Sequence, residues 1–210
     1  MARARAVRSA RLLCAVAGCA ILGGCSAVSS NSSTSDPPAP AVATTAKAAP
    51  RALPVSNASP SVVQPQPPAG SCHARGSGLF SLPDPRCTPG AVSPAVTQAN
   101  IHATICRRGY TETVRPPESV TEPEKKASLA AYGDAEPLHD FEYDHLVPLE
   151  LGGAVNDPRN LWPEPGDSPN PKDALEDRLR SMVCDGALAL AAARREIATD
   201  WVSAYRRLVR

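Results

Sequence analysis

Every aromatic residue of this chain lies beyond residue 70. Both tryptophans, all four tyrosines and both phenylalanines fall between Phe80 and Tyr205. A segment with no aromatic side chain and few charges cannot bury enough apolar surface to offset the entropy of ordering it. The first 70 residues therefore read as leader and tether. Residues 71–210, about 140 of the 210, read as one domain.

The leader has a recognisable order. Arg3, Arg5, Arg8 and Arg11 precede an apolar stretch from Leu12 to Leu22, too short to span a bilayer comfortably. It ends Leu22-Gly23-Gly24-Cys25-Ser26, which resembles a bacterial lipoprotein lipobox. That resemblance implies a lipoprotein signal peptide with lipobox over residues 1–25, cut so that Cys25 becomes the lipidated new N-terminus, and an exported protein on the outer face of the cell membrane. Two or more acyl chains hold a protein there stably where one does not. Residues 26–70, rich in Ser, Pro and Ala, would then be a disordered tether.

Export sets the cysteine arithmetic. Cys14 and Cys19 leave with the signal and Cys25 takes lipid, so Cys72, Cys87, Cys106 and Cys184 remain. Four cysteines in an oxidising compartment predict two disulfides, with three possible connectivities. Cys72–Cys87 with Cys106–Cys184 is the favoured pairing: one staples a local loop, the other ties an early segment to a late helix. A zinc site made of all four is the competing reading, without a C-x-x-C pair to support it.

Residues 71–210 carry 16 Lys and Arg against 20 Asp and Glu, a net charge of −4. That counts against an extended nucleic-acid surface, which is usually basic. It leaves room for a small acidic site holding a cation.

Local signals predict an α+β domain. Ile101–Ile105 and Tyr110–Val114 read as short extended segments. Thr121 with Glu124 suggests a capping box opening a helix that stops at Gly133. Residues 141–147 read as a strand and Asn160–Trp162 as a short returning strand. Prolines at 163, 165, 169 and 171 postpone the next helix to about Lys172. Leu175, Leu179, Met182 and Val183 give that helix its apolar face. A last helix over 189–208 carries a stripe of Leu190, Ile197, Trp201, Tyr205 and Leu208. The stripe is core, with no chemistry assigned.

The chemistry concentrates in Asp144-His145-Leu146-Val147-Pro148, Gly152-Gly153 and Asn160-Leu161. Cutting a phosphodiester requires an activated water, charge neutralisation at phosphorus and help for the leaving oxygen. A neutral histidine can take the proton near pH 7. A divalent cation on oxygen ligands can supply the charge. Adjacent strand residues point to opposite faces, so Asp144 and His145 need a local bend to share one site.

These motifs resemble the HNH endonucleases, the ββα-metal nuclease family, whose pattern is Asp-His-(Ile/Val)-x-Pro, a Gly-Gly loop and then Asn-Leu. The likeness covers roughly residues 140–180, with Leu146 as a small departure. The wider domain is similar to exported actinobacterial lipoproteins carrying an HNH-like domain. The family resemblance implies a ββα-metal core with additional helices, two disulfides, and divalent-metal hydrolysis of DNA or RNA. It implies His145 as general base, Asp144 as metal ligand and Asn160 as the residue that fixes the loop. Mg²⁺ or Mn²⁺ is the expected ion, with Zn²⁺ also compatible. In the family a further ligand, Asn or His, commonly stands three residues before a helix lysine, where this chain has Pro169. Asp173 and Glu176 are the substitutes, with Asn170 behind them. Lys172 or Arg159 would stabilise transition-state charge. Nucleic acid is the implied substrate and the membrane the implied attachment; no protein partner is identifiable. The alternative is a non-catalytic cell-surface binding module on the same frame.

Overall fold

A computed structural model describes residues 52–210. The leader, Cys25 and the first half of the expected tether lie outside these residues. No helix among the described residues is long and apolar enough to cross a membrane.

Two strands organise the middle of the domain. β1 (Phe141–His145) pairs antiparallel with β2 (Leu161–Pro165). The register sets Glu142 opposite Glu164, Asp144 opposite Trp162 and His145 opposite Leu161. β1 is shorter than expected and β2 begins one residue later and runs further. The pairing ends where Leu146 N–H turns to the Asn160 carbonyl, and the chain leaves through Pro148.

The connection between the strands is tightly folded. Pro148 leads into a single turn of 3₁₀ helix, Leu149–Leu151, closed by Gly152 with φ +68°. Gly153 admits no side chain: a Cβ there would lie 1.7 Å from the Val147 carbonyl oxygen. The Gly-Gly pair is thus a steric requirement of this turn.

Four α-helices lie among the described residues: α1 (Tyr110–Val114), α2 (Glu118–Tyr132), α3 (Pro171–Cys184) and α4 (Leu190–Leu208). Leu175, Leu179 and Val183 of α3 meet Leu190, Ala193, Ile197 and Trp201 of α4, with Leu146, Val147 and Leu151 of the loop beneath them. Asp200 breaks the helical dihedrals of α4 and receives both Ser203 N–H and Ser203 O–H, so it recaps the last turns. A smaller cluster of Cys72, Ala131, Tyr132 and Trp162 holds α2 against β2. The disulfides are Cys72–Cys87 and Cys106–Cys184, the favoured pairing.

Three expectations are corrected. Gln98–Ala103 is 3₁₀ helix and Tyr110–Val114 is a turn of α-helix, not extended chain. The sheet among the described residues has two strands, and these segments bond their backbone groups locally, as Thr104 N–H to the Ile101 carbonyl and Arg115 N–H to the Thr111 carbonyl, without joining it. α2 begins at Glu118 behind Pro117, not at Thr121, so Pro123 lies inside it. Pro116-Pro117 presets the extended entry, and Glu118 suits the positive end of the helix. Glu124 does not close a capping box; it is buried and accepts the Gln64 N–H. Lastly, residues 52–70 are not free tether. Ser56 N–H bonds the Val92 carbonyl, Asn156 donates to the Ser59 and Val62 carbonyls, and Gln66 donates to the Tyr143 hydroxyl. The strap is held by these hydrogen bonds together with Leu53, which packs against the core.

Candidate functional site

The site sits where the end of β1, the loop after it and the first turns of α3 meet. His145 is the last residue of β1 and is 6% exposed. Its Nε2 lies 2.9 Å from the Val155 carbonyl oxygen. A carbonyl only accepts, so Nε2 carries the proton and Nδ1 is left as the basic nitrogen. Burial lowers the imidazole pKa to about 4; the Asp144 charge and the Val155 carbonyl oppose the shift, while the charges of Arg115 and Lys172 add to it. Near neutral pH the ring is therefore a neutral base of fixed tautomer.

Asn160 holds the loop around it. Its Oδ1 accepts from the Ala91 and Val147 N–H groups, and its Nδ2 donates to the Val147 and Ala154 carbonyls. The side chain is fully buried and its hydrogen-bonding capacity is used. This is the loop-fixing place the motif assigned to it.

α3 brings Lys172 to Asp144. Asn170 caps the helix, accepting from Lys172 N–H and Asp173 N–H, and Pro171 opens the first turn. The Lys172 side chain is 1% exposed and points inward. Its ammonium donates to Asp144 Oδ2, to Glu176 Oε1 and, at 2.9 Å, to the His145 carbonyl. Glu164 Oε2 lies 3.6 Å away. An ammonium has three protons, and three acceptors take them.

The carboxyls do not share one state. Burial pushes Asp144 up, but the Lys172 charge, the hydrogen bond with Glu164 and the nearby imidazole outweigh it, leaving Asp144 below its ordinary range. Burial holds Glu164 and Glu176 well above theirs despite Lys172. Lys172 itself is raised: burial disfavours its charge, and Asp144, Glu176 and Glu164 more than compensate. One ammonium thus faces a carboxylate held ionised and two glutamates whose burial works against their charge.

The expected residues are thus only partly brought together. Asp144, Lys172 and Glu176 converge. Asp173 does not join them: its carboxylate accepts from Ser168 Oγ and Asn170 N–H, each at 2.8 Å, because the helix start needs a reciprocal cap. Asn170 is occupied by the same cap. Lys172 faces the carboxylates and not solvent, and Arg159 is held by Asp157 at 2.7 Å. Glu164 belongs to the cluster and went unread in sequence. Its signal was the period-two spacing that puts residues 162 and 164 on one face of β2. Glu142 also went unread as a site residue. It lines a cleft of about 670 Å³ with Glu118, Glu122, Lys125 and Asp167, and His145 does not. Burial, then the Asp144 and Asp173 charges, raise Glu142 to about 7.

Carboxylate oxygens are the donors that Mg²⁺ or Mn²⁺ takes. Here they already surround a cation supplied by the chain. Among the described residues, no group of three or more His, Cys, Asp or Glu side chains is arranged to hold a metal ion. The residues present do not fit a resident divalent ion alongside Lys172.

Comparison with protein-family models, with curated proteins and with solved structures finds no match for this chain.

Proposed function

We propose that this domain hydrolyses phosphodiester bonds of DNA or RNA, with His145 as general base. The supporting observation is the ring itself, held by the Val155 carbonyl with Nδ1 free of a proton. Nδ1 takes the proton of a water as that water attacks phosphorus, the opposite P–O bond breaks, and the leaving nucleoside oxygen takes a proton from solvent. Asn160 keeps the loop, and so the imidazole, in place. Arg115, exposed and close enough to influence His145 and Glu142, is a guanidinium that could take a phosphate. The proposed setting is outside the cytoplasm, on a chain attached through Cys25.

The test is cleavage of supercoiled plasmid and of single-stranded RNA by the purified chain, with Mg²⁺, with Mn²⁺ and with EDTA. His145→Ala is expected to lower the rate by ~100-fold or more. Cleavage that survives His145→Ala rejects the mechanism.

A second reading, a non-catalytic cell-surface module on this frame, is favoured by two observations. Lys172 fills the carboxylate cluster, and His145 is nearly sealed from solvent. It expects no cleavage under any of these conditions.

A further inference from the structure

We infer that Lys172 is the resident cation of this site, standing where an oxygen-ligated metal ion would otherwise be held. Four oxygens from three elements surround its nitrogen: Asp144 Oδ2 and the His145 carbonyl from β1, Glu164 Oε2 from β2 and Glu176 Oε1 from α3. This is the kind of shell a hard cation takes, mixed carboxylate and backbone carbonyl. The lysine reaches it from the first turn of α3, where the Asn170 cap fixes the backbone. Lys172 and Glu164 are 1% and 2% exposed, while the Asp144 and Glu176 side chains keep 16% and 13%, so the ammonium is sealed and the rim of the shell is not. A divalent ion entering this space would have to expel the ammonium, leaving a buried lysine with no acceptors. The cage thus joins hairpin to helix without depending on external metal. The inference concerns the same site as the proposed hydrolysis but does not need that activity, since its readouts are ion binding and stability.

The test compares the wild-type chain with Lys172→Met and Asp144→Asn, using Mn²⁺ and Tb³⁺ as probes. Wild type is expected to show a Tm unmoved by EDTA or by millimolar Mn²⁺. Its Tb³⁺ luminescence, sensitised by Trp162, should match that of Asp144→Asn. Lys172→Met should lose Tm on the order of 10 °C. One Mn²⁺ per chain should return part of that loss as the ion stabilises the folded state. One-to-one binding by wild type that disappears in Asp144→Asn overturns the inference. So does a folded Lys172→Met that no divalent ion stabilises. Should Lys172→Met fail to fold, the ¹H–¹⁵N spectrum of wild-type lysine ammonium groups decides. A slowly exchanging ammonium indifferent to Mn²⁺ supports the cage, and its loss with one equivalent of Mn²⁺ overturns it.

Discussion

Asn160 and Lys172 are both fully buried polar side chains within reach of His145, yet they hold the domain in different ways. Asn160 is neutral, and its four hydrogen bonds all go to backbone. It replaces secondary structure that a tight loop cannot make. Lys172 is charged and bonded mainly to other ionisable groups. Its stability contribution depends on the protonation of its neighbours, whereas that of Asn160 does not. The loop is held by geometry and the helix junction by charge.

The sharpest break in that contrast is Asn160→Ala. It strands two buried N–H groups and two carbonyls, at about 1–3 kcal/mol each, so a loss of about 4 kcal/mol or more is expected in urea unfolding. Asn160→Asp should not rescue it, because a carboxylate cannot donate to the Val147 and Ala154 carbonyls. Lys172→Met comes next, with about 3–5 kcal/mol lost by the same measurement at pH 7. The two variants should then separate by pH. Glu164 and Glu176 have raised folded-state pKa values, so in Lys172→Met stability is present at low pH and falls as pH rises from about 4.5. Asn160→Ala should show no such added slope.

His145 provides a smaller, opposite pH effect. Its folded-state pKa lies below the ordinary value, so the unfolded chain takes up the proton first as pH falls. Stability is complete above about pH 6.5 and declines toward pH 4, by about 3 kcal/mol at most. The difference in urea midpoints between wild type and His145→Gln across that window isolates it. Smallest is Asn170→Ala, which removes the α3 cap at a cost of about 1 kcal/mol. It should leave the Lys172 cage charged, and a full loss of the cage would tie the two together more closely than the geometry suggests.

Much of the frame was legible in sequence. The apolar stripes of α3 and α4 fall in or against the core, Met182 excepted, because periodicity reports burial directly. The disulfide pairing was favoured correctly on loop size and separation. The Gly-Gly pair and Asn160 marked the loop because few other residues fit such a turn. Two of the failures, at Glu124 and Glu164, have partners distant in sequence, and the one at Asp173 is a local cap taking a carboxylate away from the site. Glu124 looked like a capping residue, and a strap 60 residues upstream claims it instead. Asp173 looked like a ligand, and the helix start recruits it. Glu164 sat unnoticed among prolines until the hairpin register set it beside Asp144. Spacing identifies residues able to bind a cation, but it does not reveal that the chain supplies that cation itself.

The most direct measurement of the central claim, that His145 is a preset neutral base, is the ¹⁵N spectrum of its imidazole through a pH titration. The account predicts a proton on Nε2, an unprotonated Nδ1 and a midpoint near pH 4. A proton on Nδ1, or a midpoint at the ordinary value of about 6.5, would contradict it.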